Sequence, residues 1–208
     1  MLDKKKTALV ITGGYCNIEL AKRILPVSVD LTIAADSGYA TAQKLGITPD
    51  ITMGDFDSYR DTLPKGMNIL RVACEKDVTD TMLACEYARD NGCRYITIIG
   101  GTGGRIDHSI SNVFYLEDLR RQGVRVRLTD GENSVQVILD ETVTVPNDGG
   151  YFSIFALDQC IVTEYGCKYP LNRATLVRQR PYAVSNEVTA EYATVTVEGA
   201  ALLVTSRR

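Results

Sequence analysis

The stretch Tyr95-Ile96-Thr97-Ile98-Ile99-Gly100-Gly101 decides how the first part of the chain is built. Its β-branched run predicts a buried strand, and the glycine pair that follows predicts a turn. A helical pattern then runs from His108 to Gln122 and stops at Gly123. The apolar positions predicted to share one face of this helix are Ile110, Val113, Phe114 and Leu119. A strand, a glycine-rich turn and a helix in this order form the repeating unit of a parallel sheet covered by helices.

The same alternation occupies the chain before this unit. Strands are predicted at residues 8–11, at residues 31–35 and just before Gly54, and helices at residues 18–25, 39–45 and 79–91. Near Asp130 the helical periods stop, and short β-rich runs separated by glycine, proline and asparagine begin. The sequence therefore predicts an α/β domain with a mostly parallel sheet and flanking helices over residues 1–130. A small all-β sandwich or barrel is predicted over residues 131–208.

Composition excludes several classes of protein. The chain has 208 residues with a net charge of −3, which leaves no basic surface for extended binding of nucleic acid. The sequence contains no apolar run of membrane-spanning length and no recognisable secretory signal, so we expect no membrane partner and a cytoplasmic location. The six cysteines include no C-x-x-C pair, and the single histidine, His108, is distant from them in sequence. Reduced, mostly buried thiols are therefore a better interpretation than a zinc site or a disulfide framework.

The segment Gly54-Asp55-Phe56-Asp57-Ser58 directly follows a predicted strand. In extended backbone, residues two apart project to the same side, so Asp55 and Asp57 can face one point in space. Two carboxylates held that close repel each other unless a cation or a proton lies between them, and Mg²⁺ prefers oxygen ligands of this kind. A polar turn in which Asp and Ser cap their own backbone explains this segment equally well.

Further polar residues follow the ends of the other predicted strands or open the helices. They are Asp36 after the second strand, Lys76, Asp77, Thr79 and Asp80 at the start of a helix, and Gly104, Arg105, Asp107 and His108 between a strand and a helix. Ligands of open α/β sheets bind outside the carboxyl ends of the strands, so we expect these residues to surround one site. Each group taken alone has a simpler explanation as turn or cap chemistry.

The individual residues differ in what their chemistry indicates. Asp77 and Asp80 share one face of the first helical turn, where Asp77 is interpreted as a cap or orienting residue and Asp80 as a metal ligand. The planar guanidinium of Arg105 suits phosphate oxygens, although a surface arginine would need no such role. His108 is interpreted as a site residue, with a position at the start of a helix as the alternative. The glycine-rich loop is neither a P-loop nor a dinucleotide fingerprint, but its backbone could approach a phosphate.

These residue types together indicate phosphoryl-type transfer. Carboxylates would hold Mg²⁺ on a polyphosphate, and cationic groups would stabilise the charge that develops as a bond breaks. The sequence shows no cysteine or serine nucleophile motif, which favours direct attack by an acceptor hydroxyl. A Mg²⁺-dependent nucleotide or polyphosphate hydrolase, and a non-catalytic nucleotide-binding module, are the alternatives.

The order and spacing of these segments resemble the thiamine pyrophosphokinase family. The resemblance covers essentially the whole chain. The segments Gly54 to Ser58 and Gly103 to His108 are specific for the family when they occur together, and neither would suffice alone. The segments that carry it are Ala34-Ala35-Asp36-Ser37-Gly38, Leu45 to Asp50, Gly54 to Ser58, Lys76-Asp77-Val78-Thr79-Asp80, Gly103-Gly104-Arg105-Ile106-Asp107-His108 and Ser185-Asn186-Glu187.

This resemblance implies a Rossmann-like α/β catalytic domain, a C-terminal β-sandwich that binds thiamine, and a homodimer with substrate bound between subunits. It implies transfer of pyrophosphate from ATP to thiamine, giving thiamine diphosphate and AMP, with Mg²⁺ as cofactor. Carried over by motif, Asp55, Asp57 and Asp80 resemble the metal and polyphosphate carboxylates, and Arg105 and Asp107 resemble nucleotide or substrate contacts. Ser185 and Asn186 resemble contacts to the thiamine pyrimidine.

Three departures from the family pattern concern substrate contacts. Ser37 stands where many relatives have glycine, and Lys76 stands where animal members often carry glutamine. The chain has no tryptophan, whereas some members stack one on thiamine, so a tyrosine or phenylalanine would have to serve.

Overall fold

Two compact units make up the chain, Met1–Gly131 and Glu132–Arg208. The structure is a computed structural model that describes residues 6–54, 68–71 and 78–207. Asp55, Asp57, Lys76 and Asp77, which the sequence predicts as site residues, lie outside the described residues.

The first unit is built around a parallel sheet. Its described elements, in chain order, are β1 (Lys6–Ile11), α1 (Ile18–Ile24), β2 (Leu31–Ala35), α2 (Gly38–Leu45), β3 (Ile51–Gly54), β4 (Ile69–Arg71), α3 (Asp80–Asp90), β5 (Cys93–Ile99), α4 (Ile106–Arg121) and β6 (Arg125–Thr129). The strand order is β4-β3-β2-β1-β5-β6, and every described pairing is parallel. The order reverses between β1 and β5, and such a switch point opens a crevice at the carboxyl ends of the strands.

Local sequence explains where these elements begin and end. The Asn17 side chain caps α1 by accepting a hydrogen bond from the Leu20 amide, at 3.3 Å, and the Thr79 hydroxyl caps α3 in the same way. Gly46 ends α2 with a φ of 75°, a left-handed conformation that glycine adopts without steric cost. Strand β1 is buried on both faces: Leu9 and Ile11 pack with residues of α1 and α2, and the opposite side of the strand is equally inaccessible.

Helix α4 differs from the sequence prediction in its buried face. It begins at Ile106, two residues before the predicted start, and its buried residues are Asn112, Tyr115, Leu116 and Leu119. Of the predicted apolar face only Leu119 is fully buried, whereas Ile110 and Phe114 are 48% and 64% exposed. The prediction of that face was wrong because two faces of this helix carry apolar residues at three- and four-residue spacing. The face that packs inward is the one that also carries the polar Asn112. The short strands β4 and β6 were also missed.

The second unit is an antiparallel sheet. Its described strands are β7 (Asn133–Pro146), β8 (Tyr151–Tyr165), β9 (Leu171–Val177) and β10 (Tyr192–Ser206), in the order β7-β10-β8-β9. Runs predicted as separate strands are continuous here: residues 135–137 and 142–145 both belong to β7, and residues 194–197 and 202–204 both belong to β10. Strand β9 was not predicted.

Irregular positions bend these long strands. The pairing of β10 shifts register around Gly199, whose φ is 100°, and the Gly199 amide donates a 2.7 Å hydrogen bond to Oδ1 of Asp140, a residue that itself has a φ of 47°. One face of the sheet forms a single core that includes residues from both halves of β8 and β10, such as Phe152, Val162, Val195 and Leu203. The mixed α/β architecture thus places parallel strands in the first unit and antiparallel strands in the second.

Two general features of the described residues bear on the environment of the protein. Helices long and apolar enough to cross a bilayer are absent from the parts of the chain that the structure describes. The cysteines described as free thiols are Cys16, Cys85, Cys93, Cys160 and Cys167. Burial raises the pKa of the Cys85 thiol to about 12, which keeps this side chain protonated and chemically inert.

Candidate active site

A cleft of about 780 Å³ lies at the switch point of the parallel sheet. Its walls come from the turn after β1 (residues 12–15), the turn after β2 (residues 35–37), the start of α3 (residues 78–81) and the loop that leads from β5 into α4. This cleft brings together the predicted site residues Asp36, Thr79, Asp80, Gly104, Arg105 and His108. The sequence argument that polar residues converge at this edge of the sheet therefore agrees with the geometry of the described part.

Two glycine-rich turns meet backbone to backbone on one side of the cleft. A Cβ added to Gly14 would lie 2.0 Å from the carbonyl oxygen of Gly100, so no other residue fits there. The Tyr15 amide donates a 3.1 Å hydrogen bond to the Thr102 carbonyl, which links the two turns. Gly104 has open space around it but a φ of 66°, which a side chain would strain. The loop thus presents backbone rather than side chains to a ligand, as phosphate-binding loops do.

Arg105 and Asp107 form a paired group at the N-terminus of α4. The Arg105 Nε donates to Oδ1 of Asp107 at 3.2 Å, and Nη2 donates to Oδ2, so the guanidinium is held by both carboxylate oxygens. The hydrogen bonds from Arg105 lower the pKa of the Asp107 carboxyl, and the same contact raises the pKa of Arg105. Both side chains are exposed, so the pair adds little stability, but it fixes the orientation of a positive charge beside the cleft.

Asp36 occupies an unusual position on the opposite wall. Its backbone has a φ of 47°, which non-glycine residues rarely adopt, and its amide donates a 2.7 Å hydrogen bond to the Met53 carbonyl. Its Oδ1 atom is buried and has no hydrogen-bond partner among the described residues. Buried polar atoms are nearly always satisfied, so an orphaned carboxylate oxygen in a cleft marks a place for a cation or another donor.

Asp80 and Thr79 face the cleft from the first turn of α3. The Thr79 hydroxyl accepts a hydrogen bond from the Met82 amide at 3.2 Å, so Thr79 is the N-cap of this helix. Asp80 is half-buried. A group of three or more side chains able to hold a metal is not found among the described residues. The donors present, Asp36 and Asp80, are nevertheless hard oxygen ligands of the type that suits Mg²⁺.

The predicted residues Ser185 and Asn186 belong to the second unit. Ser185 is exposed, with a φ of 55°, whereas Asn186 is only 5% exposed. The Asn186 amide nitrogen donates to Oε2 of Glu164 at 2.7 Å and to the Tyr169 carbonyl at 3.0 Å. Its amide oxygen accepts from the Tyr169 and Glu187 amides, each at 3.0 Å. All hydrogen-bonding positions of this side chain are therefore used inside the protein.

Several residues of these sites were missed by the sequence argument. Asn112 is buried and donates a 2.8 Å hydrogen bond to the Gly101 carbonyl, and Thr102 donates to the buried Asp130 carboxylate at 3.1 Å. Both contacts hold the glycine-rich loop. The signal for Asn112 is a polar residue between apolar ones on a helix, but nothing in the sequence pairs it with Gly101. Nothing in the sequence marked Glu164 as a buried residue, because it is one charged residue among the alternating residues of a strand.

Two family models cover most of the chain. The model described as thiamin pyrophosphokinase, catalytic domain, matches residues 24–128, and the one described as thiamin pyrophosphokinase, vitamin B1 binding domain, matches residues 136–202. The thiamine pyrophosphokinase of Bacillus subtilis is 31% identical over 192 residues, which cover 88% of this chain and 90% of that protein. The chain belongs to the thiamine pyrophosphokinase family.

Solved structures of thiamine pyrophosphokinases have the same fold. The crystal structure from Bacillus subtilis superposes with a TM-score of 0.86 at 27% identity and covers 98% of this chain and 100% of its own. The crystal structure from Geobacillus thermodenitrificans superposes with a TM-score of 0.82 at 26% identity and covers 97% of this chain and 98% of its own. The expected family membership is thus confirmed, and the chain is an enzyme of the transferase class. Thiamine pyrophosphokinases use thiamine and ATP, typically with a divalent metal, and neither a hydrolase nor a non-catalytic module is favoured.

Proposed function

We propose that the cleft of the first unit transfers pyrophosphate from ATP to the hydroxyl of thiamine with Mg²⁺ as the metal, giving thiamine diphosphate and AMP. The observation that carries this proposal is the placement of Asp36, with its orphaned oxygen, Asp80 and the clamped Arg105 around one glycine-lined cleft. A cleft lined by carboxylates, a fixed cation and exposed backbone suits a metal-bound polyphosphate.

In this proposal each described residue has a separate task. Asp36 and Asp80 would hold the metal together with Asp55 and Asp57, and the metal when bound would neutralise charge on the phosphate oxygens. The turns at Gly14 and Gly104 would accept the polyphosphate at the backbone, near the N-terminus of α4.

Arg105 would stabilise the charge that develops on the departing AMP. The thiamine hydroxyl oxygen forms a bond to the β-phosphorus and releases its proton to solvent. The bond from that phosphorus to the oxygen bridging to the α-phosphorus breaks, and AMP keeps the electron pair. Asp107 orients Arg105 for this task, because its carboxylate occupies one edge of the guanidinium. Lys76, Asp77, Thr79 and His108 complete the proposed nucleotide and substrate contacts.

The second unit is proposed to be the β-sandwich that binds thiamine, and the first unit a Rossmann-like catalytic domain. A single core drawn from both halves of β8 and β10 supports the sandwich. Ser185 would contact the thiamine pyrimidine, and Tyr169, which is 59% exposed and whose amide is bonded to Asn186, could stack on it in a chain without tryptophan.

A homodimer in the cytoplasm completes the proposal. The exposed apolar residues Ile106, Ile110 and Phe114 repeat every four residues along α4 and would be covered by a second subunit. Free thiols at the described cysteines are typical of a reducing compartment. Sedimentation equilibrium tests the dimer directly, since a concentration-independent monomer mass would contradict it.

Product analysis tests the proposed reaction. Purified protein incubated with ATP, thiamine and Mg²⁺ should release thiamine diphosphate and AMP in equal amounts, and chelation of the metal should stop both. AMP that forms at the same rate without thiamine would show a hydrolase instead. A reaction that proceeds unchanged after chelation would contradict the metal assignment.

A further inference from the structure

Glu164 is a carboxylic acid in the core of the second unit. It lies on β8 at the position two residues after Val162, on the strand face that supplies the core, and it is 2% exposed. Its register partners on the neighbouring strands, Val195 on β10 and Leu171 on β9, are both apolar. The alternation of β8 would place an apolar residue here, and burying an acid costs free energy unless it makes strong hydrogen bonds.

The partners of this carboxylate explain its presence. Its Oε2 accepts a 2.7 Å hydrogen bond from Nδ2 of Asn186, and the Cys167 thiol lies 3.9 Å away. Asn186 is also paired through its backbone with Phe152, at 2.8 Å and 2.9 Å, and through its amide oxygen with Tyr169. Glu164 is thus the buried side-chain acceptor for Asn186, and it fixes the orientation of the Asn186 amide together with the Tyr169 and Glu187 backbone.

Ser185 depends on this arrangement because its own conformation is unfavourable. Its φ of 55° lies in the left-handed region, which costs a non-glycine residue free energy and persists only where the surroundings enforce it. The Ser185 amide donates to Oγ of Ser153 at 3.0 Å, and the next residue is Asn186. The buried Asn186 therefore holds the residue that follows Ser185, whose backbone is strained and whose side chain is exposed.

We propose that Glu164 is a positioning residue for thiamine binding, which acts by holding Asn186 and through it the exposed Ser185. This inference rests on the proposed function for the role of Ser185 as a thiamine contact. Glu164 itself would touch no substrate, and its effect would be on the affinity of the second unit for thiamine and not on the chemistry in the cleft of the first.

Two substitutions at Glu164 separate positioning from simple support of the fold. Glu164→Gln keeps an oxygen that accepts from Asn186, whereas Glu164→Leu fills the same space with an apolar group and leaves the Asn186 amide without that acceptor. Loss of one buried hydrogen bond corresponds to about tenfold in an equilibrium constant. We expect Glu164→Leu to raise the thiamine KM about tenfold with an unchanged ATP KM, and Glu164→Gln to stay near wild type.

A matched control and a coupled variant complete the kinetic test. Glu191→Gln, at an exposed glutamate of the same unit, should change neither KM. Asn186→Ala also removes the contacts to Tyr169 and Glu187, so it should raise the thiamine KM at least as much as Glu164→Leu. The double variant should be no worse than Asn186→Ala, because the bond to Glu164 is already lost with the Asn186 side chain. Equal rises of the thiamine and ATP KM in Glu164→Leu, or additive effects in the double variant, would overturn the inference.

Amide hydrogen exchange of residues 185–187 distinguishes failure of this inference from failure of the proposed function. In Glu164→Leu the Glu187 amide, which donates to Asn186, should exchange about tenfold faster than in wild type, with Glu164→Gln unchanged. If Ser185→Ala leaves the thiamine KM unaltered, the proposed role of Ser185 fails whatever the exchange shows. If Ser185→Ala raises that KM but Glu164→Leu changes neither KM nor exchange, only the role of Glu164 is refuted.

Discussion

Replacing Glu164 by glutamine should remove one pH-dependent contribution to the stability of the protein. Burial in the core raises the pKa of the Glu164 carboxyl from 4.5 to about 7, although the hydrogen bonds from Asn186 and Cys167 act in the opposite direction. The folded protein therefore binds this proton more tightly than the unfolded chain does. Stability from this group is fully present at pH values below its unfolded pKa and is lost as the pH rises toward its folded pKa.

The size of the effect follows from the shift. A rise from 4.5 to about 7 is roughly 2.5 pKa units, and each unit is worth about 1.4 kcal/mol, so the full loss is roughly 3 to 4 kcal/mol. Integration of the two titration curves places most of this loss, roughly 2 to 3 kcal/mol, between about pH 5 and about pH 8. Glutamine cannot ionise in this range, and its oxygen can still accept from Asn186.

Urea denaturation at the two pH values measures this contribution. The free energy of unfolding of Glu164→Gln minus that of wild type should increase by roughly 2 to 3 kcal/mol from the lower to the higher pH, with similar denaturant slopes. Taking the difference cancels every titrating group that the two proteins share. The exposed Glu191→Gln variant should show a difference near zero at both pH values.

Two outcomes would contradict a raised pKa of the Glu164 carboxyl. A stability difference that is constant with pH would show that the folded and unfolded pKa values of Glu164 are alike, so that burial does not raise its pKa. A difference that shrinks with rising pH would show that the carboxylate is stabilised by the fold, which would reverse the sign of the argument.

Three further predictions concern the first unit. Asp57→Ala should abolish turnover without a change in melting temperature, and activity near wild type at saturating Mg²⁺ would remove Asp57 from the metal site. Arg105→Ala should lower kcat about a hundredfold while Arg105→Lys recovers only part of it, because lysine lacks the planar fork; full activity in Arg105→Lys would argue against a bidentate role. Gly14→Ala should destabilise the protein by about 3 kcal/mol, because the added Cβ would lie 2.0 Å from the Gly100 carbonyl oxygen. An unchanged melting temperature would contradict that packing.

The fold of the first unit was largely predictable because its signals are local. Strand β2 is found at Leu31–Ala35, where its β-branched and alanine run predicts it. The face of α4 was not predictable, because burial of Asn112 depends on its bond to the Gly101 carbonyl, which is a tertiary contact. The sequence predicted β10 as two separate strands, because Gly199, where the strand bends, resembles a turn residue in sequence.

The residues that line the site could be predicted from the sequence, but the contacts between them could not. The convergence of Asp36, Asp80 and Arg105 follows from the rule that parallel strands present their carboxyl ends at one edge. The Arg105–Asp107 clamp and the orphaned oxygen of Asp36 are geometric and have no sequence pattern. The dependence of Asn186 on Glu164 joins residues 22 positions apart through a side-chain contact that periodicity does not specify.

The fate of a label in ATP shows whether the protein transfers pyrophosphate to thiamine. ATP radiolabelled at the β-phosphorus should be incubated with the protein, Mg²⁺ and thiamine, and the products separated. We expect the label to leave ATP only when thiamine is present and to appear in thiamine diphosphate, with none in AMP. Label recovered as free pyrophosphate at a rate independent of thiamine would contradict it.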